Sequence, residues 1–216
     1  MKNLKKIAIT LLVLFMLVPS FAFANSVEET PELKAKIENI VKTMPEDDAI
    51  EAIEELVGLD EDSLIRTWES RDVSNFAIYK MDDEGLSKSR YAFTNESYIE
   101  SKEGFVYITL KTQPMSYKKH NADVTKVFVI GDKTEYEGIN SDFRSPSTKI
   151  KGEQVPGTIL IKVPVSEIKP GKHGYNSLLK VRFETNLRND FGGFIGKLFP
   201  DAMINPKALF YFNNNI

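Results

Sequence analysis

Apolar residues repeat in two different rhythms along this chain. Leu33, Ile37, Ile40, Val41 and Met44 recur every three or four positions, which places them on one stripe of a helix that Pro45 ends. A second stripe follows in Ile50, Ile53, Leu56 and Val57, with Asp47 or Asp48 as its cap and Gly58 as its stop. Leu64, Ile65 and Trp68 then predict a third short helix or turn.

Beyond residue 70 the rhythm becomes two. Phe76 and Ile78 alternate with Ala77 and Tyr79. Val106, Ile108 and Leu110 alternate with Phe105, Tyr107 and Thr109. The same holds for Val127 and Val129, and for Ile159, Ile161 and Val163. Leu179, Val181 and Phe183 stand against Lys180, Arg182 and Glu184. Alternation with one polar face describes half-buried antiparallel strands. Turn signals separate the runs at Lys102-Glu103-Gly104, Gly131-Asp132, Pro156-Gly157 and Lys169-Pro170-Gly171. Residues 190–200 are apolar and glycine-rich, a loop folded back on the sheets or a short helix, and residues 208–212 predict one last strand. The expected fold is mainly β: an immunoglobulin-like antiparallel β-sandwich preceded by a small acidic α-helical segment.

The first 24 residues predict an export signal. Lys2, Lys5 and Lys6 precede an apolar run from residue 7 to 18, and Ala22-Phe23-Ala24 supplies the small-x-small cleavage pattern. The run is shorter than the roughly 20 residues that span a bilayer. Three parts are therefore expected: a signal peptide over 1–24, an acidic helical segment over 25–70 and a sandwich domain over 71–216. The mature protein is expected to be secreted or held at a bacterial cell surface or periplasm, with no transmembrane segment.

Charge follows the same division. Residues 26–70 carry 14 acidic and 4 basic side chains, whereas residues 71–216 carry 17 acidic and 21 basic. The acidic faces are a solvated helix surface or a docking surface. With a pI near 5.6 and Lys118-Lys119-His120 as the longest basic cluster, nucleic acid is not an expected partner. The chain has no cysteine, which removes disulfides, thiolate metal sites and thiol nucleophiles together. It has two histidines and none of the common zinc, serine-hydrolase or phosphate-loop motifs, so an enzyme is not expected. Asp82-Asp83-Glu84 before Gly85 lacks the alternating spacing of a calcium loop and reads as an acidic turn.

Tyrosines are the more suggestive feature. All eight lie beyond residue 78, at positions 79, 91, 98, 107, 117, 136, 175 and 211. Tyrosine on a strand packs its ring and wets its hydroxyl. A cluster at one rim would also line a slot for a flat ligand, and a tyrosine phenolate can ligate haem iron.

The order of these features resembles the NEAT domain, the haem-binding β-sandwich of exported bacterial haem-uptake proteins. The matching run starts at Asn75-Phe76-Ala77-Ile78-Tyr79-Lys80-Met81 and continues through Leu86-Ser87-Lys88-Ser89-Arg90-Tyr91. Lys102-Glu103-Gly104-Phe105-Val106-Tyr107-Ile108-Thr109-Leu110 is similar to the family's "K-D-G-x-x-Y-V-T-L" strand. Lys126-Val127-Phe128-Val129, Thr134-Glu135-Tyr136 and the stretch from Ile161 to Ile168 follow in the family's order. The resemblance spans about residues 74 to 212. It implies haem as cofactor, Tyr175 as the iron ligand, and Ser87 and Tyr91 as contacts on the opposite haem face.

The family's last strand carries Y-x-x-x-Y, and here Leu179 stands four residues after Tyr175. Two registers stay open. Either residues 179–183 match the last strand, or residues 208–212 do and Tyr175 falls in a loop. Met81, Met115, His120 and His173 are the alternative ligands. The second functional reading is a protein-interaction module that does not bind haem. It would use the sandwich edges or the acidic helices to bind a protein or a cell-wall polymer. In the first reading the partners are haem or a haem-carrying protein.

Overall fold

The computed structural model describes residues 30–65 and 75–214. The expected signal peptide and Trp68 lie outside the described residues. Helix α1 (Pro31–Thr43) starts where Thr30 accepts the Leu33 amide at 3.1 Å and Pro31 fixes the first turn. Helix α2 (Glu46–Val57) is entered through Pro45 with no side-chain cap. Asp47 and Asp48 instead sit in its first turn, where negative charge meets the positive helix end. Gly58 ends α2 at φ 77°, a left-handed position that glycine takes without strain. Leu64–Ile65, preceded by a 3₁₀ turn at Glu61–Ser63, is a short strand, β1, in place of the expected short helix or turn. It pairs with β5 (Met115–Tyr117), which pairs with β6 (His120–Ala122) in a three-stranded sheet. Cross-strand pairing there outweighs the local helical pattern.

Two larger antiparallel sheets form the sandwich. The first has the order β3 (Tyr98–Lys102), β4 (Phe105–Lys111), β10 (Thr158–Pro164), β9 (Ile139–Ser141). The second has the order β2 (Phe76–Tyr79), β13 (Lys207–Phe212), β12 (Ser177–Thr185), β7 (Val124–Ile130), β8 (Glu135–Glu137). The two-residue β11 (Lys169–Pro170) joins β12 as well. The inward set is the one the alternation predicts. Val106, Ile108, Leu110, Val127, Val129, Ile159, Ile161, Val163, Leu179, Val181 and Phe183 are all buried in one cluster. The outward Arg182 lies over the Phe128 ring, 4.0 Å from its centroid, which explains why an outer-face Phe is also covered.

Strand β13 does not lie at an edge. It sits between β2 and β12, with Phe210 opposite Ile78 on one side and Leu179 on the other. Between β12 and β13 the chain makes three short helices, α3 (Arg188–Phe191), α4 (Ile195–Leu198) and α5 (Asp201–Ile204). They cover one end of the sandwich. His120 of β6 and Asp190 of α3, both fully buried as side chains, pair at 3.0 Å while the imidazole stacks on Phe191. The acidic helices are part of the same body: Ile37, Ile53 and Val57 are buried in the cluster that holds Phe93, Tyr117 and Phe199.

Candidate functional site

Alternation in β2 and β13 sends Phe76, Ile78, Ala208, Phe210 and Phe212 into the sandwich core and turns Tyr79 and Tyr211 to the opposite face. Outer faces are normally wet, yet Tyr211 is only 1% exposed. Two loops cover it. One is the acidic turn that follows β2, and the other is the tip of the β11–β12 hairpin, residues 171–176.

Asp83 joins these loops. Its Oδ2 accepts from Lys172 at 2.9 Å, and its Oδ1 accepts from His173 Nε2 at 2.8 Å and from the Tyr211 hydroxyl at 2.9 Å. The Lys172 and His173 donors, and then the Tyr211 hydroxyl, hold its carboxyl down at about 2. Because Asp83 is therefore ionised, His173 must carry its proton on Nε2. The His173 ring lies flat on Tyr79 (4.2 Å, 7°) and edge-on to Tyr211 (5.2 Å, 88°), and Tyr79 meets Tyr211 edge-on at 5.4 Å. Tyr175, half-buried, adds a fourth ring 6.5 Å from Tyr211. Asp83 (φ 66°) and His173 (φ 55°) both occupy left-handed backbone that ordinary side chains rarely adopt.

This arrangement ranks the possible iron ligands. Burial, reinforced by the bond to Asp83, pushes the Tyr211 phenol up to about 12, so it is held as a neutral donor. His173 spends Nε2 on Asp83. His120 and Met115 are 0% and 6% exposed inside the fold, which removes them from the set of ligands a bound molecule can reach. Met81 is 43% exposed. Tyr175 is a half-buried phenol at the same aromatic face. It lies in the hairpin before β12 and not on a strand.

Ser87 and Tyr91 are placed together elsewhere. Both belong to the 3₁₀ turn Lys88–Ala92, with Ser87 as its cap. The buried Ser87 hydroxyl meets Ser89 Oγ at 2.7 Å. Tyr91 lies beneath the Arg90 guanidinium, 4.0 Å from the ring centroid, and its hydroxyl accepts from the same group. This turn is the dock for the helical segment: Lys88 pairs with Glu54 of α2, and Arg90 pairs with Glu61 at 3.0 Å. Burial raises the Glu54 carboxyl, with Lys88 acting against it. The turn lies beside β2, where the Ser87 amide donates to the Ile78 carbonyl at 2.8 Å, whereas Tyr175 lies in the hairpin before β12, and β13 runs between those two strands. The family resemblance nominated Tyr175, and the sequence did not reveal Asp83, His173 and Tyr211 as grouped beside it. Tyr211 had a usable signal, an outward position in an otherwise apolar strand.

Among the described residues no group of three or more His, Asp or Glu is placed to hold a metal ion, and within Asp82-Asp83-Glu84 the Asp83 carboxylate is bonded to Lys172 and His173. No helix among them is long and apolar enough to cross a membrane. No family model matches the chain, and no curated protein sequence matches it. Among solved structures, the NEAT5 domain of IsdX2, a B. anthracis hemophore in complex with heme, aligns with 66% of this chain and 93% of that chain, at 12% sequence identity and a TM-score of 0.35.

Proposed function

We propose that this chain is an exported, non-enzymatic binding protein that captures haem at the outer aromatic face, with Tyr175 as the iron ligand. The observation that carries this reading is the half-buried Tyr175 beside Tyr79, His173 and Tyr211, a stack of rings braced by Asp83. Flat aromatic faces suit a porphyrin plane, and a phenolate suits ferric iron. Tyr211 and His173 are bonded to Asp83, and Tyr175 is the phenol that the family resemblance names for the metal. A non-enzymatic role agrees with the histidines: one is sealed in the core and the other is stacked and bonded.

The test is a titration of the full chain with hemin, followed by visible absorption. The expected result is a Soret shift and a tyrosinate charge-transfer band, both lost in Tyr175→Phe while the circular dichroism stays that of the parent. A parent spectrum identical to free hemin, or an unchanged spectrum in Tyr175→Phe, rejects the reading. A protein-interaction module is the second reading. It is favoured by the position of Ser87 and Tyr91, whose turn is already engaged by Glu54 and Glu61 of the helical segment.

A further inference from the structure

At the far end of β12 from Tyr175 lies a concavity. β12 has nine residues, so its two ends are about 27 Å apart at ~3.4 Å per residue. The cleft, ≈ 410 Å³, opens between the start of β7, the turn after β12 and the long loop from residue 142 to 157. That is within the size range of small-ligand sites. Its composition is unusual. Four side-chain amides line it, from Asn140, Gln154, Asn186 and Asn189, together with the Thr125 hydroxyl. Phe143, 53% exposed, lies at the same cleft.

The cleft is a built one. Asp123 is fully buried and acts as its anchor. Asp123 Oδ1 accepts from Arg144 at 2.9 Å, and Oδ2 accepts from the Ser147 amide and hydroxyl, both at 2.8 Å. These bonds tie the long loop to β7. Asn186 is held from both ends: its Nδ2 donates to Asp123 Oδ2 at 3.0 Å, and its Oδ1 accepts the Asp123 amide at 2.7 Å. Gly152 lies so near Asn189 that a Cβ there would meet its Nδ2 at 3.0 Å, so the loop passes close over that amide. Asn140 donates from Nδ2 to the Thr125 carbonyl at 2.9 Å, which fixes the amide orientation. Its Oδ1 is then a buried acceptor with no hydrogen-bond partner among the described residues.

The chemistry of the lining selects the ligand class. Lys126 and Glu153 leave the cleft with no net charge, which disfavours phosphates and other ions. A run of amides disfavours a purely apolar guest. An amide presents one acceptor and two donors side by side, which matches neighbouring hydroxyls that must each donate and accept. An exposed phenyl face suits the C–H face of a pyranose ring. We infer that this cleft binds a neutral, polyhydroxylated ligand, a sugar ring of a free saccharide or of a glycan chain. The site is independent of the aromatic face and of the haem reading.

The test is a two-dimensional NMR titration of the full isotope-labelled chain with neutral sugars at millimolar concentration. The probes are glucose, galactose, N-acetylglucosamine and the β-linked disaccharides of the first and third. Shifts are expected at Thr125, Asn140, Gln154 and Asn189. Phe143→Ala and Gln154→Ala, both at exposed positions, should each weaken binding about tenfold, the loss of one good contact. Tyr175→Phe should leave the titration unchanged. Sedimentation with insoluble cellulose or chitin separates the two sources: co-sedimentation assigns a polymer, and binding of soluble sugar alone assigns a free saccharide. Shifts confined to residues outside the cleft, no shift with any sugar, or unaltered affinity in both variants overturns the inference.

Discussion

At Asp83, three donors from two distant parts of the chain converge on one carboxylate. An aspartate held near 2 against an ordinary value of 3.8 favours the folded state above 3.8, and that contribution fades as pH falls towards 2. Asp83→Asn should therefore lower the thermal midpoint at neutral pH, and the gap from the parent should close between pH 3.8 and about 2. Melting curves across that interval check it, and a gap that persists at the acid end contradicts the assignment. The acidic turn around Asp83 was legible from three acids before a glycine. Its partners were not, because nothing local in a sequence reports a contact spanning 90 positions. The same limit hid the pairing of His120 with Asp190, 70 positions apart. Tyr175 was nominated by the family resemblance, whereas the committed state of Tyr211 depends on a bond that only the folded loops create.

Among the elements, β13 carries the most. Strict alternation identified β4, β7, β10 and β12 and the side chains they bury, because each presents one face to the core and the other to polar surroundings. β13 reads differently, as the continuous run Ala208-Leu209-Phe210-Tyr211-Phe212, and the structure supplies the reason: it is covered on both faces. Its place between β2 and β12 was not legible, since pattern gives strand content and not strand order. Phe210 is 1% exposed and stacks on Phe76 at 4.8 Å. Phe210→Ala should cost about 4 kcal/mol in denaturant unfolding, the usual range for emptying a buried ring. A loss below about 1 kcal/mol would mean that the strand does not occupy this interior place. The helix caps show the opposite error. Asp47 and Asp48 were attractive caps by type, yet Pro45 already sets the entry to α2 and leaves them the first turn.

At the scale of the whole molecule, opposite charge does not separate the helical segment from the sandwich. Glu54 and Glu61 meet Lys88 and Arg90, and behind those pairs Ile37, Ile53 and Val57 join the common core. The shift in composition near residue 70 was visible in the sequence, and the joint between the parts was not. A shared core predicts cooperative melting. Helix and strand signals should be lost in one transition. Ile53→Ala, at 0% exposure, should move both together and cost about 3 kcal/mol. Two separate transitions, or a change confined to the helix signal, would show the segment to be only loosely attached. The interior place of β13 also sets a timetable. During synthesis the ribosome delivers β2, β7, β8 and β12 before residues 207–212 exist. Until that last ribbon slots in, β2 and β12 each expose a raw, sticky margin that invites pairing with a stranger. Before residues 207–212 arrive the chain thus holds an open seam, and any chaperone that accompanies it is needed most just before the seam closes.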